Sequence, residues 1–287
     1  MIFKGNCTAL ITPFSKTGKS IDFASLEKLL NMQLNSKSAI LVLGTTGESS
    51  TLSLAEKQKL VEFVVNFVNH KVPVIVGAGS NNTKQAILNS QMFESMGIDG
   101  LLHITPFYNK ASQNGMFKHF EAIAKNSKLP IILYNVPSRT GVNLLPQTVF
   151  RLSKIKNIVG IKEASGNLNQ ISEILSLNPN FDVYSGDDSL TLPALSIGAK
   201  GVFSVVANLK SHDVQNLCNA FFENDFKKAI SIHQKLFTLS KALFCDVNPM
   251  PVKSALKILG LSNSTARLPL THLSKKDYLT LKCILTN

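Results

Sequence analysis

Eight short apolar runs, each followed by a longer segment of helical period, restrict what this chain can fold into more than any other feature. They are CTALIT (Cys7–Thr12), AILVLG (Ala39–Gly44), VPVIVGAG (Val72–Gly79), GLLHITPF (Gly100–Phe107), LPIILYNV (Leu129–Val136), IVGIKEA (Ile158–Ala164), FDVYSGDD (Phe181–Asp188) and GVFSVVAN (Gly201–Asn208). Valine, isoleucine and leucine dominate most of them, as expected of strands covered on both faces. The intervening segments place apolar residues at three- and four-residue steps. In Ser53–His70, Leu54, Leu60, Val61, Val64, Val65 and Val68 fall mostly on that spacing, and Ser53 with Glu56 predicts a capping box at the start. Leu168–Asn178 behaves likewise.

Strand then helix, eight times in succession, predicts an α/β fold with a parallel sheet, and eight such units close into a (β/α)8 TIM barrel. A doubly wound sheet usually has fewer strands and a phosphate-binding glycine loop after the first. Beyond Asn208 the strand signals stop. Asn224–Phe244 and Pro249–Leu261 have helical character, and Pro251 suits a first helical turn. The expected organisation is a barrel catalytic domain over residues 1–224 and a C-terminal helical extension over 225–287.

The 287 residues are 44% hydrophobic and 17% charged, which fits a packed core and not a disordered chain. No apolar run approaches the roughly 18–20 residues that span a bilayer, so no membrane association is expected. The N-terminal MIFKGNCTALITPF reads as a first strand and not as a signal peptide. Cys7, Cys218, Cys245 and Cys283 are scattered, which favours reduced thiols in a cytoplasmic protein and argues against zinc. The histidines show no metal-ligand spacing, and His103, within the fourth run, reads as a packed residue with one hydrogen bond. SKTGKS (Ser15–Ser20) has Pro13 where a P-loop needs glycine, and GAGSNN (Gly77–Asn82) lacks the last glycine of a dinucleotide fingerprint. Neither a metal nor an organic cofactor is expected. The formal charge is +12, but its cations are 27 lysines and only three arginines, spread along the chain. That describes a solvated basic surface and not a nucleic-acid site, with a field that draws in small anions.

In such a barrel the active site lies at the C-terminal ends of the strands. The residues there are GTTGES (Gly44–Ser49), TPFYN (Thr105–Asn109), YNVPSRTG (Tyr134–Gly141), Lys162 of the sixth run, and SGDD (Ser185–Asp188). Strand alternation puts Ile158, Gly160, Lys162 and Ala164 on one face, with Gly160 leaving room below the lysine if that face points inward. A desolvated amine is more often neutral, and a neutral amine attacks a carbonyl to form a Schiff base, an electron sink for carbanion chemistry. The alternatives for Lys162 are snorkelling to solvent or pairing with Glu163 or Asp187. Tyr134 ends the preceding strand and can pass protons, or it is a packing residue. Thr45 and Thr46 sit in a loop read as ending at a helix start, where hydroxyls and N–H groups suit a carboxylate. Arg139 offers fork geometry for a second carboxylate, or forms a loop salt bridge. The paired Asp187 and Asp188 read as ligands of backbone or of a helix start.

GTTGES, YNVPSRTG and GIKEASG (Gly160–Gly166), in that order, resemble the 4-hydroxy-tetrahydrodipicolinate synthase family of class I pyruvate-dependent aldolases, also called dihydrodipicolinate synthases. The likeness runs from about Gly5 to Leu270. It implies that pyruvate forms an imine with Lys162, and that the derived enamine attacks the aldehyde of L-aspartate 4-semialdehyde to give 4-hydroxy-tetrahydrodipicolinate on the way to diaminopimelate and lysine. The resemblance further implies Tyr134 as acid/base, linked through Thr46 to Tyr108 of an adjacent copy, and Thr45 and Thr46 around the pyruvate carboxylate. Arg139 would take the semialdehyde carboxylate, and main-chain carbonyls near Gly186 and Phe203 would line the site. A homodimer is then the smallest working unit, and a tetramer is the family's usual assembly.

Many members also bind lysine as an inhibitor in a polar interface pocket. Ser49, Ser50 and Asn81 keep that polarity here, but Leu54 and Lys57 stand where sensitive members have histidines, Gln85 replaces a carboxylate and Phe107 a tyrosine. Weak or absent lysine inhibition is expected. Two other readings fit the same residues: a related aldolase acting on a sugar acid, as N-acetylneuraminate lyases do, and a basic, non-catalytic binding protein on the same barrel.

Overall fold

A computed structural model describes residues 1–286. All eight runs form strands, in order: β1 (Gly5–Ala9), β2 (Ala39–Val42), β3 (Val74–Gly77), β4 (Gly100–Ile104), β5 (Ile131–Asn135), β6 (Ile158–Glu163), β7 (Asp182–Ser185) and β8 (Gly201–Ser204). Each pairs in parallel with its neighbours, and β8 returns to β1, closing the barrel. The helices are α1 (Phe23–Asn35), α2 (Leu54–Val68), α3 (Thr83–Glu94), α4 (Gln113–Lys125), α5 (Pro137–Thr140), α6 (Pro146–Leu152), α7 (Leu168–Leu177), α8 (Thr191–Ser196), α9 (Ala207–Phe222), α10 (Phe226–Ala242), α11 (Met250–Ile258) and α12 (Lys275–Thr286). Among the described residues no helix is long and apolar enough to cross a membrane.

Period-two alternation divides the strands between two hydrophobic clusters. Inside the barrel lie Cys7, Ala9, Leu41, Ile75, Leu102, Ile132, Tyr134, Tyr184 and Phe203. Ile40, Val42, Val74, Val76, Leu101, Ile131, Leu133, Ile161, Val183 and Val202 face outward and pack under the helices. The helix signals hold at their ends. Ser53 caps α2 with the reciprocal Glu56 capping box, and Asn82, Ser112 and Asn167 cap α3, α4 and α7 with side-chain oxygens.

Two details of β6 differ from simple alternation. The β5–β6 register shifts between Ile131 and Ile132, so that Ile131 opposes Ile158 while Ile132 opposes Gly160. This irregularity puts Ile158 outside with Ile161, and Val159 packs against the interior cluster instead. Ile158 and Lys162 therefore do not share a face. Gly160 also has a different purpose from making room under the lysine. A Cβ there would lie 2.6 Å from the Asp182 carbonyl oxygen, so glycine permits the close approach of β7.

Each strand stops short of its apolar run because the polar C-terminal ends turn into loops. Val205–Asn208, read with the eighth run, bend into α9, and Asp188 accepts from the N–H groups of Val205 (2.8 Å) and Val206 (3.2 Å) at that bend. Burial pushes the Asp188 carboxyl up to about 6, against the pull of these bonds and of Ser204. Asp187 accepts from Ser189 N (2.9 Å), so both aspartates serve backbone and helix starts as their spacing predicts.

Candidate active site

Lys162 is the direct register partner of Tyr134 on β5 and of Tyr184 on β7, and this lateral pairing brings the three side chains together. It is only 6% exposed, yet among the described residues no carboxylate lies within ion-pair distance. Its Nζ instead sits 4.3 Å from the Tyr134 ring centroid and 5.2 Å from that of Phe203. Glu163 points the other way. It accepts from Asn135 Nδ2 (3.0 Å), Gln170 Nε2 (2.9 Å) and Ser165 N (2.7 Å), behind the strand. The Glu163 and Asp187 alternatives for Lys162 are thereby excluded, and so is snorkelling.

The lysine forms part of the wall of a cavity of about 760 Å³ at the C-terminal mouth of the barrel. Tyr134, Thr45, Thr46, Arg139 and Gly186 line the same cavity. Gly186 has to be small, since a Cβ would come within 2.5 Å of the Ala164 Cβ and 3.1 Å of Lys162 Cε. Phe203 lies under the lysine, in a floor of aromatic rings where Phe3 stacks on Tyr184 at 4.3 Å and meets Phe203 edge-on at 5.2 Å. Tyr184 donates its hydroxyl to the Phe3 carbonyl (2.9 Å), and burial raises its pKa. Cys7 is also in the interior, its thiol pushed up by burial while the charge of Lys162 opposes the shift.

The Gly44–Glu48 turn is held by Gly47 N–H to Gly44 O (3.1 Å), Glu48 N–H to Thr45 O (3.0 Å) and Thr12 Oγ1 to Gly47 O (2.7 Å). Among the described residues nothing accepts from the N–H groups of Thr45 or Thr46, so two donors and two hydroxyls remain for an anion. The element that follows is a short 3-10 turn, Ser49–Thr51, and not directly a helix. Leu43, in left-handed backbone at φ 57°, starts the turn by crossing the end of β3. A side chain at Gly77 would meet the Leu43 carbonyl oxygen at 2.3 Å, so that crossing requires glycine.

Arg139, on α5, is exposed at the cavity rim. Its guanidinium donates to the Asn248 carbonyl at 3.5 Å, and among the described residues no acid neutralises it. Tyr108 stands away from the cavity, 89% exposed and at φ 75°, a strained conformation for a tyrosine. Thr46 Oγ1 accepts from Asn248 Nδ2 (2.9 Å), so within one copy its oxygen is joined to the C-terminal segment and not to Tyr134, while its own O–H is left to donate.

Two features of this region had no local signal. Asn248, between α10 and α11, is 202 residues from Thr46 in sequence. Glu48 and Lys253 form an ion pair with both side chains fully buried. Burial lowers the Lys253 ammonium to about 8, against the pull of Glu48. Arg267 closes the cluster with a two-pronged contact to Glu56, which it holds down to about 2.

The chain is similar to known proteins over nearly its full length. The model of the dihydrodipicolinate synthetase family matches residues 2–287. The 4-hydroxy-tetrahydrodipicolinate synthase 1 of Clostridium acetobutylicum is 44% identical over 98% of this chain and 96% of its own length. The synthase of Alkaliphilus oremlandii is 47% identical over 96% and 94%. The crystal structure of dihydrodipicolinate synthase from Thermotoga maritima superposes with a TM-score of 0.97 at 41% identity, covering 100% of this chain and 98% of that one. A lysine-bearing barrel mouth with this fold and these relatives places the chain in the dihydrodipicolinate synthetase family.

Proposed function

We infer that this chain is a Schiff-base-forming lyase that condenses pyruvate with L-aspartate 4-semialdehyde to 4-hydroxy-tetrahydrodipicolinate, in the diaminopimelate route to lysine. The observation that carries this reading is Lys162, a buried amine without a counter-ion at the wall of an open cavity. Its nitrogen attacks the pyruvate ketone carbon, and loss of water from the carbinolamine leaves an imine. The cationic imine draws electrons from the methyl group, which loses a proton to become an enamine. The enamine carbon attacks the aldehyde carbon. The amino group of the second substrate then adds to the imine carbon, closes the ring and expels the Lys162 amine.

Tyr134 is the proton carrier of this reading, supported by its place beside Lys162. Thr45 and Thr46 hold the pyruvate carboxylate with the free N–H groups and hydroxyls of their turn, main-chain carbonyls near Gly186 and Phe203 line the site, and Arg139 takes the semialdehyde carboxylate. Tyr108, exposed and strained, extends into the site of a second copy and completes its proton path through Thr46, so the working unit is at least a dimer and the expected assembly a tetramer. Residues 1–224 carry the chemistry and residues 225–287 brace it through Asn248 and Lys253. A cytoplasmic setting with reduced thiols belongs to the same reading.

Incubation with both substrates should yield the cyclic product. Cleavage of a sugar acid to pyruvate, with no use of the semialdehyde, would establish the other aldolase reading instead. Arg139→Ala separates the two half-reactions. Borohydride trapping of pyruvate should persist within about twofold, whereas KM for the semialdehyde should rise by about tenfold or more, the loss of a charge-assisted contact. Equal damage to both steps would count against this assignment.

Leu54, Lys57, Gln85 and Phe107 line the outer part of the same cavity. A second ammonium there meets the charge of Lys57 and finds the neutral Gln85 amide in place of a carboxylate. Lysine should therefore inhibit weakly or not at all, and a submillimolar inhibition constant at neutral pH would refute this.

A further inference from the structure

Glu48 has an unusual backbone. It is left-handed, at φ 51° and ψ 40°, a conformation that costs a non-glycine residue about 1–2 kcal/mol. Its main chain is part of the Thr45–Glu48 turn, but its side chain leaves the cavity and enters the interior. There one carboxylate oxygen meets Lys253 Nζ of α11, and the other accepts from the Arg267 N–H at 3.2 Å. Lys253 is itself fixed, donating to the Thr265 carbonyl (2.9 Å) and lying 4.2 Å over the Phe14 ring. Five residues earlier, Asn248 donates to Thr46 Oγ1. The α11 segment thus holds the turn at two points, the hydroxyl of Thr46 and the side chain of Glu48. Neither Glu48 nor Lys253 lines the cavity, whereas Thr45 and Thr46 do.

Stability alone is a weak reason for such a pair, because replacing a buried ion pair with apolar residues is often neutral or favourable. What a buried pair supplies is a defined position. We propose that Glu48 and Lys253 are positioning residues for the keto-acid site, through which α11 sets the affinity for pyruvate; this rests on the reading that Thr45 and Thr46 hold the pyruvate carboxylate. The left-handed turn carries both unpaired N–H groups, and the ion pair keeps it in that conformation although glutamate does not prefer it.

The test uses the full chain, with the rate of borohydride-trapped adduct measured against pyruvate concentration, well below each variant's melting temperature. Glu48→Gln and Lys253→Met should each raise half-saturating pyruvate by about tenfold, equivalent to roughly 1.4 kcal/mol. KM for the semialdehyde should change much less. The double variant Glu48→Gln/Lys253→Met should be no worse than the singles, since both remove one interaction. It leaves no unpaired buried charge, so it carries the test if a single variant fails to fold. Half-saturation equal to that of the parent, with only a lower melting temperature, would overturn the proposal and leave the pair a packing feature. Thr46→Val is the control for the underlying reading. If it raises half-saturation while the ion-pair variants do not, only the positioning role falls; if it too has no effect, the carboxylate reading falls and the proposal with it.

Discussion

Replacing Lys162 with alanine should lower kcat/KM by about 10⁴-fold or more, while the melting temperature stays the same or rises slightly. On the proposed mechanism the loss in rate follows from removing the atom that bonds to the substrate, for which neither Tyr134 nor water substitutes. The stability expectation comes from what surrounds the side chain. A buried ammonium is normally compensated by a carboxylate, and Lys162 has aromatic faces at 4.3 and 5.2 Å instead. Such contacts return about 0.5–2 kcal/mol each, against several kcal/mol for removing an ion from water. The residue thus costs the fold something that its chemistry justifies, and its removal opens onto an existing cavity and creates no sealed void. A variant that keeps activity within tenfold, or that melts more than a few degrees lower, would contradict this account. Steady-state kinetics with a thermal melt on the same preparation decides it.

The largest effect on stability is expected at the seam of the barrel. β8 joins β1 with Gly201 opposite Gly5, and a Cβ at 201 would lie 1.9 Å from the Gly5 carbonyl oxygen and 2.9 Å from its nitrogen. These are backbone atoms, so no rotamer relieves the overlap. Gly201→Ala must push the strands apart and strain the hydrogen bond from Gly5 N to Lys200 O (2.9 Å). Overpacking of this kind costs about 3 kcal/mol or more. That should lower the melting temperature by roughly 6–12 °C. Activity should fall too, though less than for Lys162→Ala, because Phe203 two residues on forms the floor beneath the lysine. Gly115→Ala, in the first turn of α4 where a Cβ finds only ordinary contacts at 3.4 Å and beyond, is the control and should be neutral or mildly stabilising. Similar melting temperatures for both variants would contradict the role given to the seam.

The architecture was legible because its signals are local. Eight Val/Ile/Leu-rich runs alternating with helical periodicity leave few closed arrangements, and caps such as Ser53–Glu56 act over three residues. Most of the site was legible for the same reason: strand ends lie in one ring, so Lys162, Tyr134, Thr45, Thr46 and Arg139 converge once the barrel is closed. What stayed hidden depends on register or on distant contacts. The shift between β5 and β6 moved Ile158 out of the lysine's face, and no residue type announces it. The need for glycine at 160, 77 and 201 comes from carbonyls of other strands or loops, which are invisible in the glycines' own neighbourhoods. Asn248 and the Glu48–Lys253 pair read as ordinary polar residues of a loop and a helix until α11 folds back on the turn.

The central claim is that one buried amine, that of Lys162, makes a covalent bond to pyruvate. Incubation of the full chain with pyruvate and borohydride, followed by digestion and peptide mass mapping, tests it most directly. The account predicts a single reduced pyruvate adduct on the peptide containing Lys162, absent from Lys162→Ala. Label on another lysine, or a chain that turns over pyruvate without any trappable adduct, would contradict it.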